Sequence, residues 1–425
     1  MATSFSRLRG WLNRRRRHGA ISFLDVKNQM GQTQVVADSS VLSHEDVVTL
    51  NRLPLESGLS LLGAWRTFNG VQEFRVMQVE STYPASMTTA RPSVATPKPL
   101  VAGMAIDQTL KERHLQIRNP ITVAALKARH RVHSFIADWL RNEGYVEIHA
   151  PILTQLPLYE DKTAIGISVH GQDLFLTQCV GYYLEAAVHG LERVYNIGPS
   201  FRAEDSKSPR HLVEYWHVKV EAAWFDINNI IEFSERLVTA ASEYVVTHCR
   251  DLAADMKTNL TPVPSRPFDQ ISYREVIRQV RRAGGDVKFG DHIGPREEAL
   301  LWEFSDRPFW VVGNPRSLEP FPYRIDPCDP EVTITADLVI PAGYGELLGV
   351  AEKITDEDEL TERMLEKHKD PDGMYRWLVD IRRYGCVPHC GMGMGFERLL
   401  RWLFQARHVR DFVAFPRIFG RPYWP

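Results

Sequence analysis

The chain has no stretch of about 18 consecutive apolar residues, the minimum for a helix that crosses a bilayer. The basic run RLRGWLNRRRRHG near its start is not followed by the apolar core of a secretory signal. A membrane-spanning helix and a secreted product are thereby set aside, and a cytoplasmic location is the expectation. Cysteine is scarce: Cys179, Cys249, Cys328, Cys386 and Cys390 are an odd number, and Cys386-x3-Cys390 has no second pair nearby. This pattern argues for reduced structural thiols rather than a disulfide framework or a paired zinc module. An excess of one charge is also lacking, with 51 Lys and Arg against 53 Asp and Glu. Contact with a nucleic acid therefore has to come from a local patch, and the N-terminal arginines are one. No internal repeat is visible, which excludes a solenoid.

What is present is apolar substance. A hydrophobic content of 44% over 425 residues exceeds one typical domain, so two or more are expected. Residues 1–80 read as five short strands, carried by LRGWLNRRRRHG, AISFLDVKN, TQVVAD, LSLLGAWRTF and EFRVMQVES, with the spacing of a small OB-type β-barrel. STYPASMTTARPSVATPKP is rich in Pro, Ser, Thr and Ala and follows neither helical nor strand period, so a linker is expected over 81–104. Residues 105–425 read as one large mixed α+β domain. There Val132, Phe135, Ile136, Trp139 and Leu140 share one helical face, which Gly144 ends before the extended YVEIHAPIL. DLFLT, RVYNIG, HVKVEAAWF, PFWVVG and VTITADLVI read as strands, and helices are expected near 228–250 and 355–369.

Two segments concentrate chemistry. FRAEDSKSPRHLVEYWHVKVE, residues 201–221, sets cations and carboxylates in a loop between apolar runs. GMGMGFERLLRWLF places glycines 391, 393 and 395 before a helix whose apolar stripe is Phe396, Leu399, Leu400, Leu403 and Phe404. Arg398 lies off that stripe, in a position to face a ligand. The glycines alone are read equally well as close packing of a helix on a sheet.

Taken in order, the helix, strand and Pro151, then FRAE with Arg210-His211 and Glu214-Tyr215, then the glycine run with Glu397-Arg398, resemble the three motifs of the class II aminoacyl-tRNA synthetases. VYNIGPSFRAEDSKSPRHLVEYW, VDIRRYGCVPHCGMGMGFERLLRW and HVRDFVAFPR are similar to the asparaginyl branch of the aspartate/asparagine subgroup, whose anticodon-binding domain the N-terminal barrel resembles. The likeness spans essentially the whole chain. It implies an α+β fold: an OB-fold barrel ahead of a catalytic domain built on an antiparallel sheet flanked by helices.

The resemblance implies a ligase that uses ATP and Mg2+ to convert an amino acid, asparagine first among them, into an aminoacyl-adenylate and to pass it to tRNA. Positioning and charge stabilisation would carry that chemistry. Arg202 falls on the α-phosphate next to Glu204, Arg210 and His211 on the outer phosphates, and Tyr215 against adenine. Gly395 and Arg398 close the other side, with Arg202 and Arg398 as the catalytic cations. Asp337 and Glu346 take the positions of metal-binding acids. Glu160, Gly181, Glu185, Glu221, Lys353, Arg383 and Tyr384 fall where the amino acid is held. Phe23 and Gln34 match positions that meet the central anticodon base, and Arg14 to Arg17, Arg15 included, match a role on backbone phosphates. A core phenylalanine and an exposed basic strand end are the other readings there. The first motif implies a homodimer with Pro151 close to the two-fold axis.

Four departures concern the amino-acid pocket. Gly349-Val350-Ala351-Glu352-Lys353 stands where the family has Gly-Gly-Ser followed by x-Arg, so a planar fork becomes a point charge. PLYEDKTAIGISVHG holds no acidic-glycine-glycine segment and leaves Glu160 as the substitute. Cys179-Val180-Gly181 replaces Ser-Gly-Gln and enlarges the cavity, and DLVIPAGYGE carries one extra residue between the metal acids. These departures raise an alternative, a paralogue that makes an adenylate of asparagine, aspartate or a related amino acid and transfers it to a small amine. A non-catalytic tRNA-binding module is a third reading, opposed by the persistence of Arg202, Arg398, Asp337 and Glu346.

Overall fold

Apolar side chains turned inward from the first five strands fill a closed barrel. β1 (Ser6–His18), β2 (Ile21–Asn28), β3 (Gly31–Asp38), β4 (Gly58–Phe68) and β5 (Val71–Tyr83) pair in the order β1-β2-β3-β5-β4, around Leu8, Leu12, Leu24, Val26, Val35, Leu61 and Phe74. A helix, His44–Arg52, follows β3 and is started by the Ser43 hydroxyl, which accepts from the Asp46 N–H at 3.0 Å. β5 runs on to Tyr83, past the boundary expected at residue 80. This computed structural model describes residues 5–86, 104–158, 161–206, 208–301 and 305–423, so most of the expected linker lies outside the described residues. The chain divides into two units, Met1–Pro99 and Leu100–Pro425.

The second unit is built on an eight-stranded sheet. Its strands are β6 (Val146–Glu147), β10 (Arg193–Phe201), β11 (Glu214–Ala223), β12 (Asp269–Ser272), β13 (Phe309–Val312), β16 (Thr335–Ile340), β17 (Gly345–Glu352) and β18 (His389–Gly395), in the order β12-β13-β16-β17-β18-β11-β10-β6. All neighbours are antiparallel except β6 with β10 and β12 with β13. A three-stranded sheet of β7 (Leu153–Thr154), β8 (Ile165–Val169) and β9 (Gln172–Leu176) and the hairpin β14 (Ile325–Asp326) with β15 (Asp329–Thr333) complete the strands. The run VTITADLVI is therefore two strands, β15 and β16, which part at Ile334.

One face of the large sheet is buried by the helices Pro120–Asn142, Ile227–His248 and Phe396–Leu403, with Val132, Ile136, Val220, Leu237, Trp310, Leu348 and Leu400 in one core. The first of these begins well before its large-residue stripe because Ala124, Ala125 and Ala128 are buried there, where only small side chains fit. Glu397 fixes its register: one carboxylate oxygen accepts from Arg129 at 2.5 Å and the other from the Trp216 N–H at 2.9 Å. Among the described residues no helix is long and apolar enough to cross a membrane.

Candidate active site

The opposite face of the sheet carries an open cavity of about 370 Å³, in the size range of small-molecule sites. Its floor follows from strand register. Directly paired residues share a face, so Asp337, Gly349, Gly393 and Lys219 form one row across β16, β17, β18 and β11, and Thr335, Ala351, Gly391 and Glu221 form the next. Glycine is required in these rows by what stands beside it. A Cβ at Gly349 would lie 2.7 Å from Asp337 Oδ1, one at Gly391 would lie 2.5 Å from Glu221 Oε2 and 3.0 Å from Lys353 Cε, and one at Gly393 would collide with the Lys219 ammonium. Gly395 leaves room in the same way for Arg398. The glycine run thus serves the site as well as the packing, because each missing side chain is the space a polar neighbour occupies.

One end of the cavity gathers cations. Arg202, Glu204, Arg210, His211, Tyr215, Glu346, Gly395 and Arg398 all line it. Arg202 donates to Glu204 at 3.4 Å, and Arg210 pairs with Glu298 at 2.7 Å. Arg398 donates to the Glu346 carbonyl at 3.0 Å and to its carboxylate at 3.3 Å. It also points a second N–H at His211 Nε2, at 3.4 Å. That contact leaves Nδ1 as the protonated nitrogen, set against the Ser206 and Ser208 oxygens at 2.9 and 2.5 Å. Burial and then the neighbouring Arg398 cation hold His211 down to about 4, so it is neutral. The Tyr215 hydroxyl is buried without a hydrogen-bond partner among the described residues, its ring edge-on to His217 with centroids 4.8 Å apart, and burial pushes it up to about 12.

Next to the cations lies a set of carboxylates. Asn314 Nδ2 donates to both Asp337, at 2.7 Å, and Glu319, at 2.9 Å. Burial, with the charges of Glu346 and Glu319, raises Asp337 well above its ordinary value, and burial with the charge of Glu346 raises Glu319 to about 7. Burial pushes Glu346 the same way, but Arg398 and Arg202 outweigh it and hold Glu346 low. Oxygen donors crowded enough to retain protons are a set that a hard divalent cation relieves, so these residues fit Mg2+.

The other end is lined by Gly181, Cys179, Lys219, Glu221 and Lys353. Lys353 Nζ lies 4.0 Å from Glu185 Oε2 and 4.6 Å from the centre of the Tyr323 ring. Lys219 has no ion-pair partner among the described residues, and burial lowers it. Glu221 Oε1 is buried without a hydrogen bond among the described residues, and burial, opposed by Lys353 and His389, raises its pKa.

Three of the expected amino-acid contacts are placed elsewhere. Glu185 sits beneath the cavity rather than on its wall, paired with Arg382 where neither side chain is exposed. Burial would raise its carboxyl, but Arg382 and His389 hold it well below the usual range. Arg383 lies on the outer side of its helix, Arg376–Arg383, donating to Glu357 at 2.7 Å, and Tyr384 is 89% exposed. The helix register turns Arg382 inward and Arg383 and Tyr384 outward. Glu160 lies outside the described residues. Glu298, Glu319, Lys219, Arg382 and His389 were missed. For Lys219 a signal existed, because His217, Lys219 and Glu221 alternate along one face of β11.

In the barrel, Arg14, Arg16, Phe23, Asp25 and Gln34 share the outer face, by the pairs Arg14 with Asp25, Arg16 with Phe23 and Asp25 with Gln34. Arg16 reaches Asp25 and Gln34, each at 3.4 Å. Arg15 is on the inner face instead and donates to the carbonyls of Leu50 and Leu53, at 2.9 and 2.7 Å, where it satisfies the end of the helix His44–Arg52. It is thus removed from the set expected to meet phosphate.

Residues 105–418 match the family model described as tRNA synthetases class II (D, K and N). The asparagine–tRNA ligase of Pyrococcus horikoshii is 34% identical over 98% of this chain and 95% of its own length, and that of Thermoplasma acidophilum 31% identical over 97% and 95%. The crystal structure of the Pyrococcus horikoshii asparaginyl-tRNA synthetase complexed with asparaginyl-adenylate superposes with a TM-score of 0.90 at 34% identity, covering 99% of this chain and 96% of that one.

Proposed function

The chain belongs to the class II tRNA synthetases (D, K and N), and we propose that it activates asparagine with ATP to asparaginyl-adenylate and transfers the asparaginyl group to tRNA. The observation that carries this reading is one continuous cavity with Arg202, Arg210 and Arg398 at one end, Glu221, Lys219 and Lys353 at the other, and Asp337, Glu319 and Glu346 alongside.

In this reading the amino-acid carboxylate attacks the α-phosphate and pyrophosphate leaves. Arg202 stabilises charge on the α-phosphate, and Arg210 takes the charge that moves to the leaving group. Neutral His211 contributes by accepting from Arg398 through Nε2, which orients that guanidinium, rather than as a cation. Arg398, already held by the Glu346 carbonyl, spans the nucleotide from the opposite side, where a planar guanidinium suits both stacking and phosphate. Asp337, Glu319 and Glu346 would hold Mg2+, which when bound neutralises phosphate charge. The outer barrel face with Arg14, Arg16, Phe23 and Gln34 suits stacking on and holding an unpaired anticodon base. Ile152, Leu153 and Val146, each more than 40% exposed next to Pro151, favour a second copy of the chain as the cover for that surface.

The two ammonium groups at the amino-acid end favour aspartate, or a related acidic amino acid, as a competing substrate, since both are donors only and Lys219 has no carboxylate partner among the described residues. Amino-acid-dependent ATP–pyrophosphate exchange over all standard amino acids, without and then with total tRNA, tests both readings. Exchange led by asparagine together with tRNA charging supports the first. Exchange led by aspartate supports the second, and adenylate formation without any charging rejects tRNA as acceptor.

A further inference from the structure

Outside the cavity, on the far side of Glu185, one group of potential ligands is left unused by the proposed reaction. His189, at the end of the helix Gly181–Leu191, and Cys386 and His389, in the turn that enters β18, offer ligand atoms that all lie within 4.8 Å of one another. We propose that these three residues bind a thiophilic divalent cation of the zinc class.

The local hydrogen bonds prepare such a seat. His189 Nδ1 donates to the Glu185 carbonyl at 2.8 Å, which fixes the tautomer and turns the Nε2 lone pair toward Cys386 Sγ, 3.2 Å away. The Val387 N–H also points at that Nε2, at 3.4 Å, so Nε2 is the accepting nitrogen. A histidine oriented through its other nitrogen by a backbone carbonyl is the arrangement that tunes metal-bound imidazoles. His389 Nδ1 donates to the Val387 carbonyl at 2.7 Å, and its buried Nε2 has no hydrogen-bond partner among the described residues. Two imidazoles and a thiolate make a zinc donor set, and tetrahedral bonding places such ligands about 3.4–3.7 Å apart, within reach of the observed spacing. Cys386 and His189 are only partly buried, which leaves an entry path and a fourth position for solvent. On binding, the cation takes the place of the thiol proton and of the His389 Nε2 proton that Glu185 and Glu221 favour, and both protons leave to solvent.

The cation would tie the helix that bears Glu185 to the strand that faces Glu221, since His389 Nε2 stands 3.8 Å from the first carboxylate and 3.9 Å from the second. The role is structural, a fastening behind the amino-acid end of the site.

Co(II) titration of the chelator-treated full-length protein tests the site. The expected result is one equivalent bound with a thiolate-to-metal charge-transfer band, displaced by Zn(II), and a rise in Tm on adding Zn(II). Cys386→Ala should abolish the band, and His189→Gln, which keeps the thiol, should weaken Co(II) binding by at least about tenfold, with circular dichroism confirming that both variants fold. A band absent from the unmodified protein, or one that persists unweakened in either variant, overturns the proposal.

Discussion

Arg382 and Glu185 form an ion pair in which neither side chain has any exposure to solvent. Removing Arg382 leaves the buried Glu185 carboxylate with only the more distant Lys353 and His389 to offset it, at a cost of about 3–5 kcal/mol. Arg382→Met should therefore lower unfolding free energy by that amount in urea melts. Arg383→Ala, which loses partly exposed contacts with Glu357 and Asp380, should stay within about 0.5 kcal/mol of the unmodified chain. Equal losses would contradict the helix register described above.

Gly391→Ala forces a methyl group against Glu221 and Lys353. Overpacking of this kind costs about 1–3 kcal/mol. We expect pyrophosphate exchange to show a raised KM for the amino acid with the KM for ATP nearly unchanged. A rise confined to ATP would show that Glu221 and Lys353 do not meet the amino acid.

Arg398→Ala removes a guanidinium that the Glu346 carbonyl holds toward the nucleotide. Loss of one preorganised donor costs roughly 10²–10³ in rate. Single-turnover adenylate formation should fall by that factor, and Arg398→Lys should recover only part of it because the fork is lost.

His211 should remain neutral through the working range, since burial and Arg398 hold it near 4. The unfolded chain takes up this proton below about pH 6.5 and the folded chain does not until about 4, so the group's contribution to stability is complete above 6.5 and fades as pH falls between those values. Urea melts at pH 7 and pH 5 should show the unmodified protein losing on the order of 1 kcal/mol more than His211→Gln. An identical pH response in the two proteins would place a charged imidazole in the site.

Glu319, raised to about 7 by burial, is one of the carboxylates proposed to hold Mg2+, and in that role it would give the Mg2+ dependence a pH slope. Its carboxylate must lose a proton before it can hold the cation, so half-saturating Mg2+ in the exchange assay should rise several-fold from pH 8 to pH 6. Glu319→Gln should need more Mg2+ at both values and lose most of the slope.

Much of this was legible in the chain because local rules carry it. Short apolar runs at barrel spacing marked the five barrel strands, and the clustered charges around Arg202 and Arg210 marked a loop with chemistry. What escaped depends on long-range placement. Glu298 and Glu319 come from stretches without periodicity and reach the cavity only through the fold. Arg382 and Arg383 are adjacent in sequence, and only the packing of their helix decides which points inward. Arg15 looks like its neighbours in a run of four arginines until strand pairing assigns alternate members to opposite faces. The glycines of β18 were ambiguous for the same reason, since their purpose lies in the side chains of other strands.

Those glycines also bear on how the site can change in descent. Along β18 the freedom to vary belongs to neighbouring strands: Lys219, Glu221 and Lys353 project into spaces that Gly391 and Gly393 leave open. A lineage can therefore alter what the pocket accepts by exchanging the occupants of those spaces while the vacant positions stay fixed. Old specificity and new would then share one unchanged backbone, and divergence would show first at the residues facing the glycines rather than at the glycines themselves.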